Sequence, residues 1–154
     1  MERKESLKGY VLDSSVVIKW FSQEEYTDLA LKIRDNFVNG NIEIVAPDLQ
    51  LYEISNALRY NKNIKKSEVS NAIKSLIELG IRIIVPTEDI MNIAIDIAYE
   101  HDLTIYDSYF IALAKELDFI FITSDKKLYN KIKNLGFTKL LNDLDDSVEE
   151  KQNN

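Results

Sequence analysis

The chain has 154 residues, 45% of them apolar and 29% charged, which is enough for one domain with a real core and too apolar for a disordered chain. It has no cysteine and a single histidine, His101, so disulfides, thiolate metal sites, cysteine nucleophiles and His-rich zinc cages are excluded. The net charge of −7 argues against a nucleic-acid partner at first sight, but residues 142–154 hold five acids and one lysine, which leaves −3 for residues 1–141. The expected organisation is one domain over 1–141 followed by an acidic, disordered tail over 142–154. No apolar run approaches the ~20 residues that span a bilayer. The charged start MERKESLKGYV leads straight into a strand-like run, unlike a secretory leader, so a cytoplasmic protein is expected.

Taken in chain order, the periodicity alternates between two and 3.6. Tyr10-Val11-Leu12-Asp13 reads as a buried strand, and Val16, Val17 and Trp20 open a short helix. Tyr26, Leu29, Ile33 and Phe37 recur at helical spacing, with Gly40 ending the helix. Ile42 to Val45 is a second strand, stopped by Pro47. Leu51, Ile54 and Leu58 mark the next helix. Val69, Ile73, Leu76 and Ile77 mark another, with Ser67 as its N-cap and Gly80 just past its end. Ile81 to Val85 is a third strand, closed by Pro86, and Thr87 caps a helix bearing Ile90, Ile93, Ala94 and Ile97. Phe110, Leu113, Ala114 and Leu117 share a further helix. Phe119 to Ile122 is a fourth strand, followed by a helix with Leu128, Ile132 and Leu135 that Gly136 stops. Lys139 to Leu141 forms a short edge strand. Short apolar strands alternating with helices predict an α/β fold with a mostly parallel central sheet and helices on both sides.

In such folds ligands bind outside the carboxyl ends of the strands. Asp13 directly follows the first strand and Asp125 follows the fourth. Glu53 and Asp107 interrupt apolar helical stretches after the second strand and before the fourth. Each acid alone has a structural explanation. Asp107 can cap a helix, Asp13 can sit in a turn, and Glu53 can face solvent. Together they form four carboxylates that repel one another in one crevice unless a cation lies between them. Oxygen ligands without imidazole or thiolate select Mg²⁺ or Mn²⁺, and Mg²⁺ favours a phosphate partner. Ser15, Thr123 and Ser124 lie beside Asp13 and Asp125, where hydroxyls can orient a carboxylate or a bound water.

The ordered set Asp13-x-Ser15, Glu53-x-x-Asn56-Ala57-Leu58, Tyr106-Asp107-Ser108 and Thr123-Ser124-Asp125 resembles PIN-domain proteins over residues 9–141, and the compact size is similar to VapC-type toxin ribonucleases. The resemblance implies a three-layer α/β/α sandwich and a Mg²⁺- or Mn²⁺-dependent endoribonuclease. It also implies a homodimer and, for toxins, a small antitoxin protein. Asp13, Glu53, Asp107 and Asp125 match the acidic quartet that serves as catalytic and metal-ligating set. Ser15, Thr123 and Asn56 match positions that support it. Ser108 stands where a small apolar residue is common, and serine fits the same space. Two other readings stay open: an RNA-processing nuclease outside toxin–antitoxin pairs, and a non-catalytic PIN-like module that binds RNA or protein.

With the four acids set aside, the charge of residues 1–141 moves from −3 to +1. Basic residues cluster in RYNKNIKK (59–66) and DKKLYNKIK (125–133), either as solvated helix faces or as grips on phosphates. Tyr60, Tyr106 and Tyr109 are available to stack bases or to pack in the core. Trp20 and Phe21 suit an oligomer interface, an antitoxin groove or the core. His101 ends a helix, where it can satisfy terminal carbonyls. A HAD-like phosphatase also places an aspartate after its first strand, as a covalent nucleophile, but needs a second acid where this chain has Ser15.

Overall fold

A computed structural model describes residues 6–144. Five strands make one sheet: β1 (Lys8–Leu12), β2 (Ile42–Pro47), β3 (Arg82–Ile84), β4 (Ile120–Thr123) and β5 (Thr138–Leu140). Their order is β3-β2-β1-β4-β5 and every pairing is parallel, with Tyr10 beside both Ile44 and Ile120. The helices are α1 (Ser14–Val17), α2 (Thr27–Val38), α3 (Leu49–Arg59), α4 (Lys66–Glu78), α5 (Glu88–His101), α6 (Ile105–Leu117) and α7 (Lys126–Ile132). A 3-10 turn over Ile18–Trp20 extends α1, and another spans Leu141–Leu144.

The strand pleat explains the layers. Neighbouring residues point to opposite faces, so Leu12, Ile44, Ala46 and Ile122 enter one core while Val11, Val45 and Phe121 enter the other. Helices α1 to α4 cover the first face through Val16, Leu29, Ile54 and Leu76, and α5 to α7 cover the second through Ala94, Leu113 and Ile132. This is the expected α/β/α sandwich. No helix among the described residues is long and apolar enough to cross a membrane.

Several local expectations shift. Ser67 is not the cap of α4: the helix starts two residues earlier, with Lys65 in the cap position and no side-chain cap hydrogen bond. Pro47 is the last residue of β2 rather than a stop before it, a place where its missing N–H costs little. The third strand is trimmed to Arg82–Ile84 and is mostly exposed, because β3 lies at the sheet edge. Helix α7 ends at Ile132, before Leu135 and Gly136. The last strand sits one residue earlier than expected, over Thr138–Leu140. Residues 142–144 complete a 3-10 turn whose Leu144 is buried against the first core, and 145–154 lie outside the described residues. Gly40 and Gly80 do end their helices, with φ of +76° and +79°, a region that disfavours a side chain.

Gly9, in β1, is required for a different reason. A methyl group there collides with the ring of Phe119, which leads into the neighbouring β4. Gly9→Val is expected to destabilise the fold by about 1–3 kcal/mol in urea unfolding, the usual cost of overpacking. Phe119→Ala in the same chain should recover part of that loss, which a backbone-propensity effect would not allow.

Candidate active site

From β1 the chain runs outward to β2 and β3, then crosses back to β4 on the other side of β1. The strand order therefore reverses between β1 and β4, and the crevice of a parallel sheet opens at that reversal. Asp13 leaves the end of β1 and Asp125 lies just past the end of β4. The two hydrogen-bond ladders converge there, with the Asp13 N–H donating to the Ile122 carbonyl at 2.9 Å.

Asp13 is buried, 9% exposed, yet fully supported. Its Oδ1 accepts from the Ser14 N–H at 2.8 Å, and its Oδ2 accepts from Ser15 Oγ at 2.9 Å and Thr123 Oγ1 at 2.8 Å. Thr123 Oγ1 also accepts from the Asp125 N–H at 3.0 Å, and Ser15 Oγ accepts from the Ser124 N–H at 3.0 Å. One hydroxyl from each strand end thus locks the two loops together. Glu53 reaches in from α3, where Ser14 Oγ donates to its Oε1 at 2.9 Å. The same helix is pinned by buried Gln50, whose Nε2 donates to the Leu12 carbonyl at 2.7 Å. Neither Ser14 nor Gln50 is among the residues the sequence singles out. Gln50 does carry a readable signal, a polar residue among Leu49, Leu51 and Ile54 just after a strand.

Asp107 lies in the first turn of α6 but does not cap it. Thr104 does, its Oγ1 accepting from the Asp107 N–H at 3.1 Å, so the carboxylate is released from capping. Ser108 fits its buried position and donates from Oγ to the Thr104 carbonyl at 2.8 Å. Asp125 caps α7, with Oδ1 accepting from the N–H groups of Lys127 and Leu128. Asn56 is exposed, one turn beyond Glu53, and makes no side-chain hydrogen bond to the acids among the described residues.

The electrostatics join the four acids into one group. Burial holds the Asp13 carboxyl above its ordinary value, and Asp107 adds to this; the Thr123 and Ser15 hydroxyls oppose it. Burial also raises Glu53, against the Ser14 hydrogen bond and with help from Asp13 and Asp107. Asp107 is raised by burial and then by Asp125, and is lowered by the Thr104 side chain and then by Lys131. Among the described residues no three acidic or histidine side chains close into a preformed metal cage. The donor set still fits a hard divalent ion. It offers carboxylate oxygens alone, and Mg²⁺ keeps most of its waters, so it needs few direct protein ligands.

Other expectations resolve here. Tyr109 is core rather than stacking surface, while Tyr60 and Tyr106 are 71% and 64% exposed. Trp20 is core too, its Nε1 donating to the Ala30 carbonyl at 2.8 Å. His101 satisfies a terminal carbonyl, but that of α7: its Nδ1–H donates to the Lys131 carbonyl at 3.0 Å, and Lys131 Nζ donates back to the Asp102 carbonyl at 2.8 Å. This reciprocal clasp fixes the turn from α5 into α6 and sets Lys131 on the Asp107 side of the crevice.

Carboxyls raised by folding bind more protons in the native state than in the unfolded chain. Their contribution to stability is full below the unfolded values of 3.8 and 4.5 and is lost as pH rises through the folded ones. Asp107→Asn should therefore raise the melting temperature of the metal-free protein by a few degrees at pH 7. The gain should vanish near pH 3.5 in thermal unfolding followed by circular dichroism.

Comparison with known proteins agrees with this fold. The sequence is similar to Ribonuclease VapC3 of Pyrobaculum aerophilum, 26% identical over 125 residues that cover 79% of this chain and 92% of that one. The fold is similar to that of a toxin–antitoxin complex from Klebsiella pneumoniae, with a TM-score of 0.64 at 14% identity over 86% of this chain and 97% of that one. It is also similar to VapC20 of Mycobacterium tuberculosis, described as a sarcin-ricin loop cleaving toxin, with a TM-score of 0.61 at 13% identity over 79% and 93%. The PIN domain profile matches residues 10–134, which include all four acids. The chain belongs to the PIN domain family.

Proposed function

We propose that the protein is a divalent-metal-dependent endoribonuclease that hydrolyses RNA phosphodiester bonds, acting as the toxin of a VapBC-type pair. The observation that carries this reading is the placement of Asp13, Glu53, Asp107 and Asp125 around the β1–β4 crevice, where burial raises the first three carboxyls and Asp107 feels the charge of Asp125. The relative named as a ribonuclease, 26% identical over nine-tenths of its own length, supports the choice of RNA.

In this reading Asp13 and Asp107 are the principal ligands of Mg²⁺ or Mn²⁺, and Glu53 and Asp125 bind directly or through water. When bound, the ion supplies an acidified water near neutral pH and offsets charge on the attacked phosphate and leaving oxygen. The chain's own residues do the positioning. Thr123 and Ser15 hold Oδ2 of Asp13, and the Ser14 N–H holds its Oδ1. Ser14 presents Glu53 with Oε2 free. Thr104 keeps the Asp107 carboxylate available.

The test is cleavage of defined tRNA and rRNA fragments with Mg²⁺, Mn²⁺ or chelator. Cleavage should need the metal and fall by about 100-fold or more in Asp13→Asn and Asp107→Asn, since even outer partners of a metal site are worth about 10–100-fold. Equal activity in wild type and variants would refute the site.

Two partners belong to this proposal. A small antitoxin protein is supported by the neighbours solved as toxin–antitoxin complexes, and by a surface cavity of about 240 Å³ whose apolar residues Phe21, Leu58, Ile64 and Ala72 are joined by Glu68, Asn71 and Ser75. A homodimer is supported by exposed apolar residues: Val85 at 65%, just past the edge strand, and Ile95 and Tyr99 one turn apart on α5 at 39% and 86%. Tyr99→Lys combined with Val85→Lys should convert a dimer to a monomer in sedimentation equilibrium, with cleavage per protomer as the second readout.

A further inference from the structure

Helix α3 carries more than Glu53. Its buried face, Gln50, Ile54 and Leu58, locks it to the sheet and to α4. Glu53, Asn56 and Tyr60 stand at i, i+3 and i+7, which places them along one stripe. Glu53 turns into the crevice, Asn56 is exposed, and Tyr60 is 71% exposed with the Arg59 guanidinium over its ring at 5.0 Å. Beyond Tyr60 come Lys62, Lys65 and Lys66, all exposed. Between Glu53 and Glu68 there is no acidic residue, in a chain whose net charge is −7.

The fold gives Arg59 only its place over Tyr60 and in the last turn of α3. No ion pair engages Arg59, Lys62, Lys65 or Lys66 among the described residues. Lys65 and Lys66 occupy the cap and first position of α4, the end of a helix where positive charge is unfavourable. A stacked Arg–Tyr pair in open solvent contributes little to stability, yet it offers a flat π-face beside fixed positive charge. Exposed aromatics in a cationic strip are the chemistry that holds unstacked bases and the phosphates between them.

We propose that the carboxyl-terminal half of α3 and the turn into α4 form a track for a single-stranded RNA segment, an inference that rests on the ribonuclease reading above. Tyr60, backed by Arg59, stacks on a base, Lys62 and Lys65 grip phosphates, and the Asn56 amide faces base edges between that platform and the acids. Seven residues of helix separate Glu53 from Tyr60, a rise of about 10 Å, or about three stacked nucleotides at 3.4 Å each. The track thus selects a strand that is unpaired for a few nucleotides to one side of the scissile bond. A duplex, whose bases are already stacked on one another, cannot use the Tyr60 platform.

The test is fluorescence anisotropy with a labelled unstructured RNA 12-mer in chelator, across a salt series, beside cleavage of the same RNA with Mg²⁺. Tyr60→Leu should weaken binding by about 5- to 100-fold, and Tyr60→Phe, which keeps the ring, should bind as the wild type does. Lys62→Ala with Lys65→Ala should lower the slope of log affinity against log salt by about 1.4, at about 0.7 for each phosphate no longer neutralised. Lys74→Ala, an exposed lysine paired with Glu78 further along α4, should change neither quantity. Unchanged affinity and slope in the α3–α4 variants, with cleavage intact, would overturn this track and leave the nuclease standing. Equal loss for duplex and single-stranded RNA in Tyr60→Leu would overturn base stacking in it. A wild-type protein that neither binds nor cuts RNA would overturn both.

Discussion

Everything in the crevice follows from the burial of one carboxylate. Asp13 lies where the strand order reverses, almost closed to solvent, and a charge there is costly unless hydrogen bonds or a cation answer it. Two hydroxyls and a backbone N–H answer part of the demand. Those same hydroxyls accept from the loop after β4, so supporting the carboxylate and joining the two strand ends are one act. The other acids increase the demand rather than relieve it. A divalent ion is the simplest species that turns this arrangement from repulsive to cohesive.

The architecture holds the acids at fixed distances from elements that do not move easily. Three of the four stand at or near helix starts: Asp13 and Asp125 as caps, and Asp107 one turn inside a cap made by Thr104. A cap residue has its backbone direction set by the helix it opens, which places its side chain accurately. Glu53 is the exception. It sits within α3 and depends on Gln50, one turn earlier, to hold that helix against the end of β1.

Much of this is readable from residues, and what escapes has physical causes. The sheet and its layers follow from strands such as Phe119 to Ile122, where unbroken apolarity means burial on both faces. The acids are legible because carboxylates that interrupt apolar runs at strand ends need a reason to be there. Ser67 misleads because a good capping residue predicts a cap only within its own neighbourhood. Here the chain leaves the α3–α4 turn through Lys65, and Ile64, packed against the first core, sets where that helix begins. The extent of β3 is hidden because edge strands end where pairing ends, and pairing depends on β2, far away in sequence. Pattern groups Asn56 with the acids, and on α3 it stands exposed one turn beyond Glu53. The clasp between His101 and Lys131 joins residues 30 apart and has no local signature.

Trp20 has a practical corollary. It is the only tryptophan in the chain, 8% exposed and anchored by its indole N–H, and it borders the same shallow surface as Phe21, away from the acids. The protein therefore carries an intrinsic fluorophore at a surface that none of the four acids lines. Binding at the surface that Trp20 and Phe21 share is expected to shift emission from that indole without any label.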